Sequence, residues 1–509
     1  MKLSQNAQFA IDQAHLHPGK ELALLPEWYD QARQDFESYL ETQSPLKHPL
    51  LSLQKKSVAH AIASKYTAIF DDMGAGKTAQ ALAVTVLGGH RHTIIVCPNN
   101  LKDNWVAEIQ KFIGTPLSQI FIGKGQELVR MPKTLVTNFK FLIFNYEAAP
   151  VAHKTPAIYP SAFQICDHII FDEAHAIKNA LTKNYMCWYY YLAQRPPNQL
   201  TLLTGTPFDR YAGEMYAYLQ LLDLNPSVPG TPFTDHFPNV CHFEEQFALP
   251  RGKGGTYFSY RAEKLPVIKN IWGKRPVRRN ITDITEMPGK TDQTINLPDD
   301  FFPDVDFDDL IKKFKKALAL MHQQDSGRKL NDEDSSAMGA VQKIRVQVSE
   351  CKVPYTLDMA EKYLSTYGPV VVFFEFVQPM LMAAKMLREK GYQAAQVHGE
   401  MSDNDRRIAV EAFKEGGKFH FLFATFGTLS EGVNLQVSNT VIFNDIPWRP
   451  LSISQAERRV WRIGQTRHCF QVSILCRVDE IILNNIMAKT DYIEDMYGIM
   501  AHARKEANL

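Results

Sequence analysis

Short apolar runs separated by helix-like stretches set the rhythm of the chain. Between residues 93 and 204 the runs are Thr93-Ile94-Ile95-Val96-Cys97, Phe141-Leu142-Ile143-Phe144, His168-Ile169-Ile170-Phe171 and Thr201-Leu202-Leu203-Thr204. Strands with no polar alternation are buried on both faces, as in a parallel sheet covered by helices. A second block repeats the pattern at 370–374, 395–397, 421–424, 440–443 and 472–475. The expected fold is therefore α/β, with two parallel-sheet lobes in tandem. Upstream, Trp28, Tyr29, Phe36 and Tyr39 recur at roughly helical spacing. Between the blocks the alternation breaks: Pro226 to Phe237 is rich in proline and aromatics, and 325–336 is the most linker-like stretch. The predicted division is a helical N-terminal extension over 1–50, a first lobe over 51–210, an insertion and linker over 211–344, a second lobe over 345–485 and a C-terminal helix over 486–509.

Ligands of open parallel sheets sit at the carboxyl ends of the strands. Each run of the first block ends in a polar cluster: Pro98-Asn99-Asn100, Asn145-Tyr146-Glu147, Asp172-Glu173-Ala174-His175 and Gly205-Thr206-Pro207. These clusters are expected along one rim. The same rim should hold Asp71-Asp72-Met73-Gly74-Ala75-Gly76-Lys77-Thr78, which follows an apolar run and precedes a helical segment reaching Leu87. Strand, glycine loop and helix are the context of a phosphate-binding loop. Gly74, Ala75 and Gly76 can turn their N–H groups inward at the positive end of the helix. Lys77 can reach the outer phosphates and Thr78 can hold Mg²⁺, so ATP and Mg²⁺ are the expected cofactors. Asp71 stands where G-x-x-x-x-G-K-T has its first glycine. Asp172 suits a second Mg²⁺ ligand and Glu173 suits a group that orients and deprotonates water; the competing reading of Asp172 is a helix N-cap. Gln54 either reads an adenine edge, which needs a donor and an acceptor together, or is an ordinary surface glutamine. In the second block, Gln455, Arg459 and Arg462 are spaced by four and three on a helical stretch, which predicts one shared face. That block has no phosphate loop of its own, so its arginines suit fingers for a nucleotide held by the first.

Composition narrows the class. Of 509 residues, 45% are hydrophobic and 22% charged, the balance of a globular protein of more than one domain. A net charge of +1 means that a polyanion must be met by a local patch. Lys264 through Arg279, with Lys269, Lys274, Arg275 and Arg278 near Tyr260 and Trp272, reads either as such a patch or as a solvated basic face. Seven scattered cysteines without a C-x-x-C pair argue against a zinc module or disulfide framework and fit a reducing compartment. There is no signal-peptide layout, and no apolar run approaches the roughly 18–20 residues of a membrane span. A soluble intracellular protein without a membrane partner is expected.

Several stretches together resemble the Swi/Snf family of superfamily-two DNA translocases and helicases. The phosphate loop is similar to that family's Asp-Glu-Met-Gly-Leu-Gly-Lys-Thr. Val96-Cys97-Pro98 with Leu101 and Trp105 resembles motif Ia. Asp172 to Asn179 resembles motif II, and Leu203 to Pro207 resembles motif III. Arg278-Arg279 with Pro288-Gly289-Lys290 resembles the segment closing the first half. Gln455 to Gln465 resembles motif VI, with Trp461 where His is common. Thr425 to Gly432, running into Val433-Asn434-Leu435, looks like motif V of a bacterial branch.

The resemblance implies two RecA-like lobes, ATP bound with Mg²⁺, and a motor moving on double-stranded DNA. It implies Gln54 as adenine reader, Gly432 with the nucleotide site, and Asn100, Lys102, Tyr146 and Thr425 near the DNA backbone, where Lys274 and Arg275 of the basic segment would join them. The expected partners are double-stranded, forked or branched DNA and replication or recombination proteins, in a bacterial or virus-infected cytoplasm rather than a nucleus; the oligomeric state is open. The rivals are a nucleotide-gated DNA-binding scaffold with little hydrolysis and an RNA-directed helicase.

Overall fold

The four apolar runs of the first block do pair with one another, and the run before the phosphate loop joins them. The computed structural model describes residues 28–153, 160–208, 213–224, 237–249, 259–261, 276–302, 306–324, 332–429, 433–448 and 450–483. These form two compact units, one built from described residues up to 249 and from 259–285, the other from 286–483.

In the first unit, strands β1 (Tyr66–Ile69), β2 (Thr93–Val96), β3 (Ile120–Ile122), β4 (Phe141–Phe144), β5 (His168–Asp172) and β6 (Gln199–Leu203) make a parallel sheet. A short antiparallel pair follows, β7 (Ala248–Leu249) with β8 (Ser259–Tyr260). The strand β9 (Pro276–Val277) then returns to the main sheet, whose order is β3-β4-β2-β5-β6-β1-β9. Val96 lies level with Phe144 and Phe171, and Leu203 with Asp172 and Ile69. The carboxyl ends of five strands therefore reach one rim, as the pattern of polar clusters requires. Helices Ser52–Ser64, Lys77–Leu87 and Lys102–Phe112 contribute Val58, Ile62, Leu82, Trp105 and Ile109 to a core shared with Ile95, Ile143 and Ile170. Each such aliphatic side chain contributes about 1.5–3 kcal/mol by leaving water. The helix Trp28–Thr42 adds Phe36 and Leu40 to this core, and its Tyr29 hydroxyl meets the His60 ring.

The second unit is also parallel throughout: β10 (Lys290–Asn296), β11 (Val370–Phe374), β12 (Ala394–Val397), β13 (Phe421–Thr425), β14 (Thr440–Phe443) and β15 (Cys469–Leu475), in the order β10-β15-β14-β11-β13-β12. The long helix Asp332–Tyr367 is keyed to the ends of these strands by one polar face. Arg345 Nη2 donates to Ile446 O (2.6 Å), Ser349 Oγ to Asp445 Oδ2 (2.8 Å), Lys352 Nζ to Asp479 Oδ2 (2.8 Å) and Thr356 Oγ1 to Asn444 Oδ1 (2.6 Å). Spacings of four, three and four keep these side chains on one side of the helix.

The structure differs from the sequence pattern in three places. The stretch 211–344, expected as an insertion, supplies an edge strand to each sheet, β9 and β10. Half of each edge strand's hydrogen-bonding capacity faces away from the sheet, and β10 (Lys-Thr-Asp-Gln-Thr-Ile-Asn) is largely exposed, so it shows no apolar run. Of the expected linker, residues 332–336 begin the long helix, and 325–331 lie outside the described residues. The strand β3 is three residues long with only Ile120 buried, too little to register as a pattern. Residues 1–27 of the N-terminal extension and the C-terminal helix expected over 486–509 also lie outside the described residues. Among those described, no helix is long and apolar enough to cross a membrane.

Candidate active site

The phosphate loop is shaped by contacts from three directions. Gly76 has φ +75°, and a Cβ there would lie 2.6 Å from Gln54 Nε2, so both conformation and space require glycine. Gly205, just past β6, is constrained by space alone: a Cβ would meet Met73 Cγ at 2.4 Å. The helix Lys77–Leu87 starts at the lysine, with Thr78 half-buried in its first turn. Lys77 Nζ donates to the carbonyls of Asp71 and Asp72, both at 2.9 Å. Burial pulls this ammonium below its usual range, against the opposing pull of Glu173, Asp71, Asp72 and Asp172.

The acid pair stands beside the loop on the same rim. Asp172 ends β5, and its carboxylate accepts from Trp105 Nε1 (2.8 Å) and from the backbone N–H of Glu173 (3.0 Å). Burial and the neighbouring Glu173 push its pKa up to about 7. Glu173 holds a left-handed backbone, φ 52° and ψ 50°, a conformation that costs a non-glycine residue about 1–2 kcal/mol. Its Oε2 lies 3.2 Å from His175 Nδ1 and 3.5 Å from the Thr204 hydroxyl. The N-cap reading of Asp172 is thereby displaced, since its side chain faces Trp105.

The donor set suits a nucleotide with a divalent cation. No group of three or more His, Cys, Asp or Glu able to hold a metal occurs among the described residues. A cation here would need phosphate oxygens alongside one carboxylate and a hydroxyl, which is how Mg²⁺ usually binds. Two adjacent carboxylates, one with a raised pKa, provide the negative charge that such a cation would neutralise.

Other predicted site residues fall into place unevenly. Asn100 is exposed beyond β2. Gln54 is buried, with its amide engaged within the chain: Oε1 accepts from Leu51 N (2.9 Å) and Nε2 donates to Ala75 O (2.9 Å). It is not a surface residue, and its amide fastens the loop through Ala75. Three residues expected near the DNA backbone have their polar ends engaged within their own units. Lys102 is buried, donating to Gly123 O (3.1 Å) and Asn145 Oδ1 (3.3 Å). Tyr146 is buried and donates to Asp172 O (2.6 Å). Thr425 is buried with its hydroxyl 3.0 Å from that of Thr428. Lys274, Arg275 and Gly432 lie outside the described residues. Arg278 and Arg279 do not extend a basic face: both are buried against the phosphate loop.

In the second unit the expected single helical face is corrected as well. The helix Pro450–Glu457 carries Gln455 but ends before Arg459 and Arg462. Beyond it the chain tightens into turns, with Val460 N bonded to Glu457 O (3.0 Å) and Trp461 Nε1 to Pro288 O (2.9 Å). Arg459 is buried and Arg462 half-buried in this turn. Gln465 explains the end of the motif: its amide donates to Ser438 O (2.9 Å) and accepts from Thr466 N and Arg467 N (both 3.1 Å), locking the turn to β14. Trp105, Tyr146 and Thr204 are the supporting residues whose contacts the spacing did not predict.

Family models match in the order of the two units: an SNF2-related domain over residues 53–301 and a helicase conserved C-terminal domain over 355–464. The chain belongs to the Swi/Snf family. Its two matched domains are those of a Swi/Snf-type helicase or translocase. This Swi/Snf chain is similar to "Uncharacterized ATP-dependent helicase YqhH" of Bacillus subtilis, 23% identical over 488 residues, covering 90% of the chain and 81% of the relative. It is 25% identical over 450 residues to human "DNA annealing helicase and endonuclease ZRANB3", covering 87% of the chain but only 39% of that protein. Among solved structures, "Sulfolobus solfataricus SWI2/SNF2 ATPase core domain" matches with 19% identity, 92% of this chain, 93% of that one and a TM-score of 0.41.

Proposed function

We propose that this Swi/Snf chain is a DNA-stimulated ATPase that moves along double-stranded DNA by gripping phosphates rather than reading bases. The observation that supports this best is the gathering of phosphate loop, acid pair and the Thr204–Gly205 turn on one rim of the first sheet. Magnesium-bound ATP supplies a polarised γ-phosphoryl group and a stable leaving group. Lys77 exchanges the carbonyls of Asp71 and Asp72 for the outer phosphates. Thr78 and Asp172 hold the cation. Glu173 orients water and takes its proton, with its carboxylate set by His175 and Thr204. Arg459 and Arg462, supported by Gln455, stabilise the charge that develops on the transferred group. Gly432 belongs to the same nucleotide site. Asn100, Lys274 and Arg275 are assigned to the DNA backbone.

The preferred substrate is forked or branched DNA handled in replication, recombination or repair, a reading favoured by the similarity to an annealing helicase. The bacterial relative favours a bacterial cytoplasm. The test is ATP hydrolysis with no DNA, duplex, forks and four-way junctions. Stimulation by branched DNA, lost in Lys77→Ala and Glu173→Gln, is the expected result. Nucleotide-dependent DNA binding with negligible hydrolysis would replace the motor with a scaffold, and stimulation by RNA alone would redirect it.

A further inference from the structure

Two adjacent arginines where the chain prepares to leave the first unit have no part in the mechanism above, yet both are buried against the phosphate loop. Arg279 is 1% exposed, and its guanidinium forks onto Asp71: Nε to Oδ1 at 3.1 Å and Nη2 to Oδ2 at 2.8 Å. Its Nη1 donates to Leu53 O, and its carbonyl accepts from Asp72 N (2.9 Å). Asp71 is fully buried and also accepts from Gln80 Nε2 (3.2 Å), on the helix behind the loop. Arg278 Nη1 donates to Phe70 O (2.7 Å) and Gly205 O (2.9 Å), and its Nη2 lies 3.9 Å from Asp72 Oδ1. The second unit begins at Glu286, soon after this pair.

Asp71 is the residue that replaces the loop's first glycine, and this pairing accounts for it. A buried ion pair adds little stability over well-packed apolar residues, but its fork geometry specifies one arrangement. We infer that Arg279, acting through Asp71 and flanked by Arg278, is the positioning residue that holds the phosphate loop in shape while Lys77 changes partners. Lys77 donates to the carbonyls of the same two residues, Asp71 and Asp72, whose carboxylates face the arginines. When the ammonium turns to a phosphate, those carbonyls lose their donor, and the clamp keeps the loop from following it. This second step rests on the ATPase reading above; the clamp itself does not.

The experiment pairs hydrogen exchange of the nucleotide-free protein with binding of a fluorescent ATP analogue. The variants are Arg279→Lys, which keeps charge but not the fork, and the double variant Asp71→Leu with Arg279→Met, which strands no charge. In both, amides 73–77 should exchange at least about tenfold faster while those of β2 and β5 keep wild-type protection, and the analogue's Kd should rise about tenfold. Full restoration by Arg279→Lys, or unchanged exchange in the folded double variant, overturns the positioning role. Faster loop exchange in a protein whose wild type binds no nucleotide keeps the clamp and defeats the ATPase reading instead.

Discussion

Replacing Trp105 by phenylalanine tests whether Asp172 serves a metal. The indole N–H is one of two donors to this carboxylate, at 2.8 Å from Oδ2, and Trp105 is fully buried. Phenylalanine keeps most of the ring and removes the donor. A hydrogen bond to a charged group is worth about 1.5–3 kcal/mol, and loss of an outer-shell partner lowers metal affinity about 10–100-fold. Because the bond favours the charged form, its loss also moves Asp172 further above about 7, so less of it is ionised at neutral pH. The smaller ring costs about 1–3 kcal/mol of stability by leaving a cavity. The assay is DNA-stimulated ATP hydrolysis titrated with Mg²⁺, near pH 7 and again about 1.5 units higher, with circular dichroism confirming the fold. Half-saturating Mg²⁺ should rise about tenfold near neutrality and recover partly at the higher pH, with kcat at saturating Mg²⁺ within about threefold of wild type. An unchanged Mg²⁺ dependence in the folded variant, or a kcat loss that no Mg²⁺ concentration relieves, would refute the reasoning.

Two further outcomes test the units separately. Lys352→Met strands Asp479 and Asp445, which lie 2.8 and 3.6 Å from a fully buried ammonium, and should lower the stability of the second unit by about 3–5 kcal/mol; an unshifted urea midpoint for that unit would contradict it. His168 is buried between the hydroxyls of Thr85 (2.9 Å) and Thr201 (3.0 Å), and burial, with His90 nearby, holds its pKa well below the usual range. The folded state keeps it neutral while the unfolded chain takes up a proton below pH of about 6.5, so its contribution falls with falling pH by up to about 1.4 kcal/mol per unit. Asp172 contributes with the opposite sign, its folded form binding protons more readily, so the measurement is the difference between wild type and His168→Asn: the variant should lose less stability on acidification, and parallel pH profiles would exclude the effect.

The two sheets and the rim of the first were legible because parallel strands must be apolar over their whole length, which leaves polar residues to mark where they end. What escaped was carried by residues whose type is ambiguous without a partner. Lys102 and Tyr146 have the chemistry of a DNA contact, but a lysine stem and a phenol ring are also good packing material, and here both polar ends meet internal acceptors. Gln54 offers a donor and an acceptor to any ligand, and here the donor meets the loop at Ala75 O while the acceptor caps its own helix at Leu51 N. The arginine face misled for a different reason. Helical spacing predicts one face from Gln455 through Arg459 and Arg462, whereas Trp461, anchored to Pro288, and the left-handed Gly464 mark a turn. The edge strand β10 had no pattern to show, since a strand half open to solvent has no need of one.

The two rims handle buried charge in opposite ways, and the contrast says where the chemistry belongs. In the second unit two buried cations have anions in reach: Lys352 lies between Asp479 and Asp445, and Arg345 faces Glu375 at 3.6 Å while stacking on Phe376 and Trp448. Such a network holds the long helix in register. In the first unit Asp172 receives hydrogen bonds only from neutral donors, an indole and a backbone amide, and sits next to a second carboxylate. A carboxylate so placed is costly to ionise, and a purely structural site would relieve that cost with an arginine or an amide. The nearby arginines are engaged elsewhere: Arg279 forks onto Asp71, and Arg278 donates to the Phe70 and Gly205 carbonyls. The rim thus sets two adjacent carboxylates against the Lys77 ammonium, an arrangement that a divalent cation and phosphate oxygens entering together would favour.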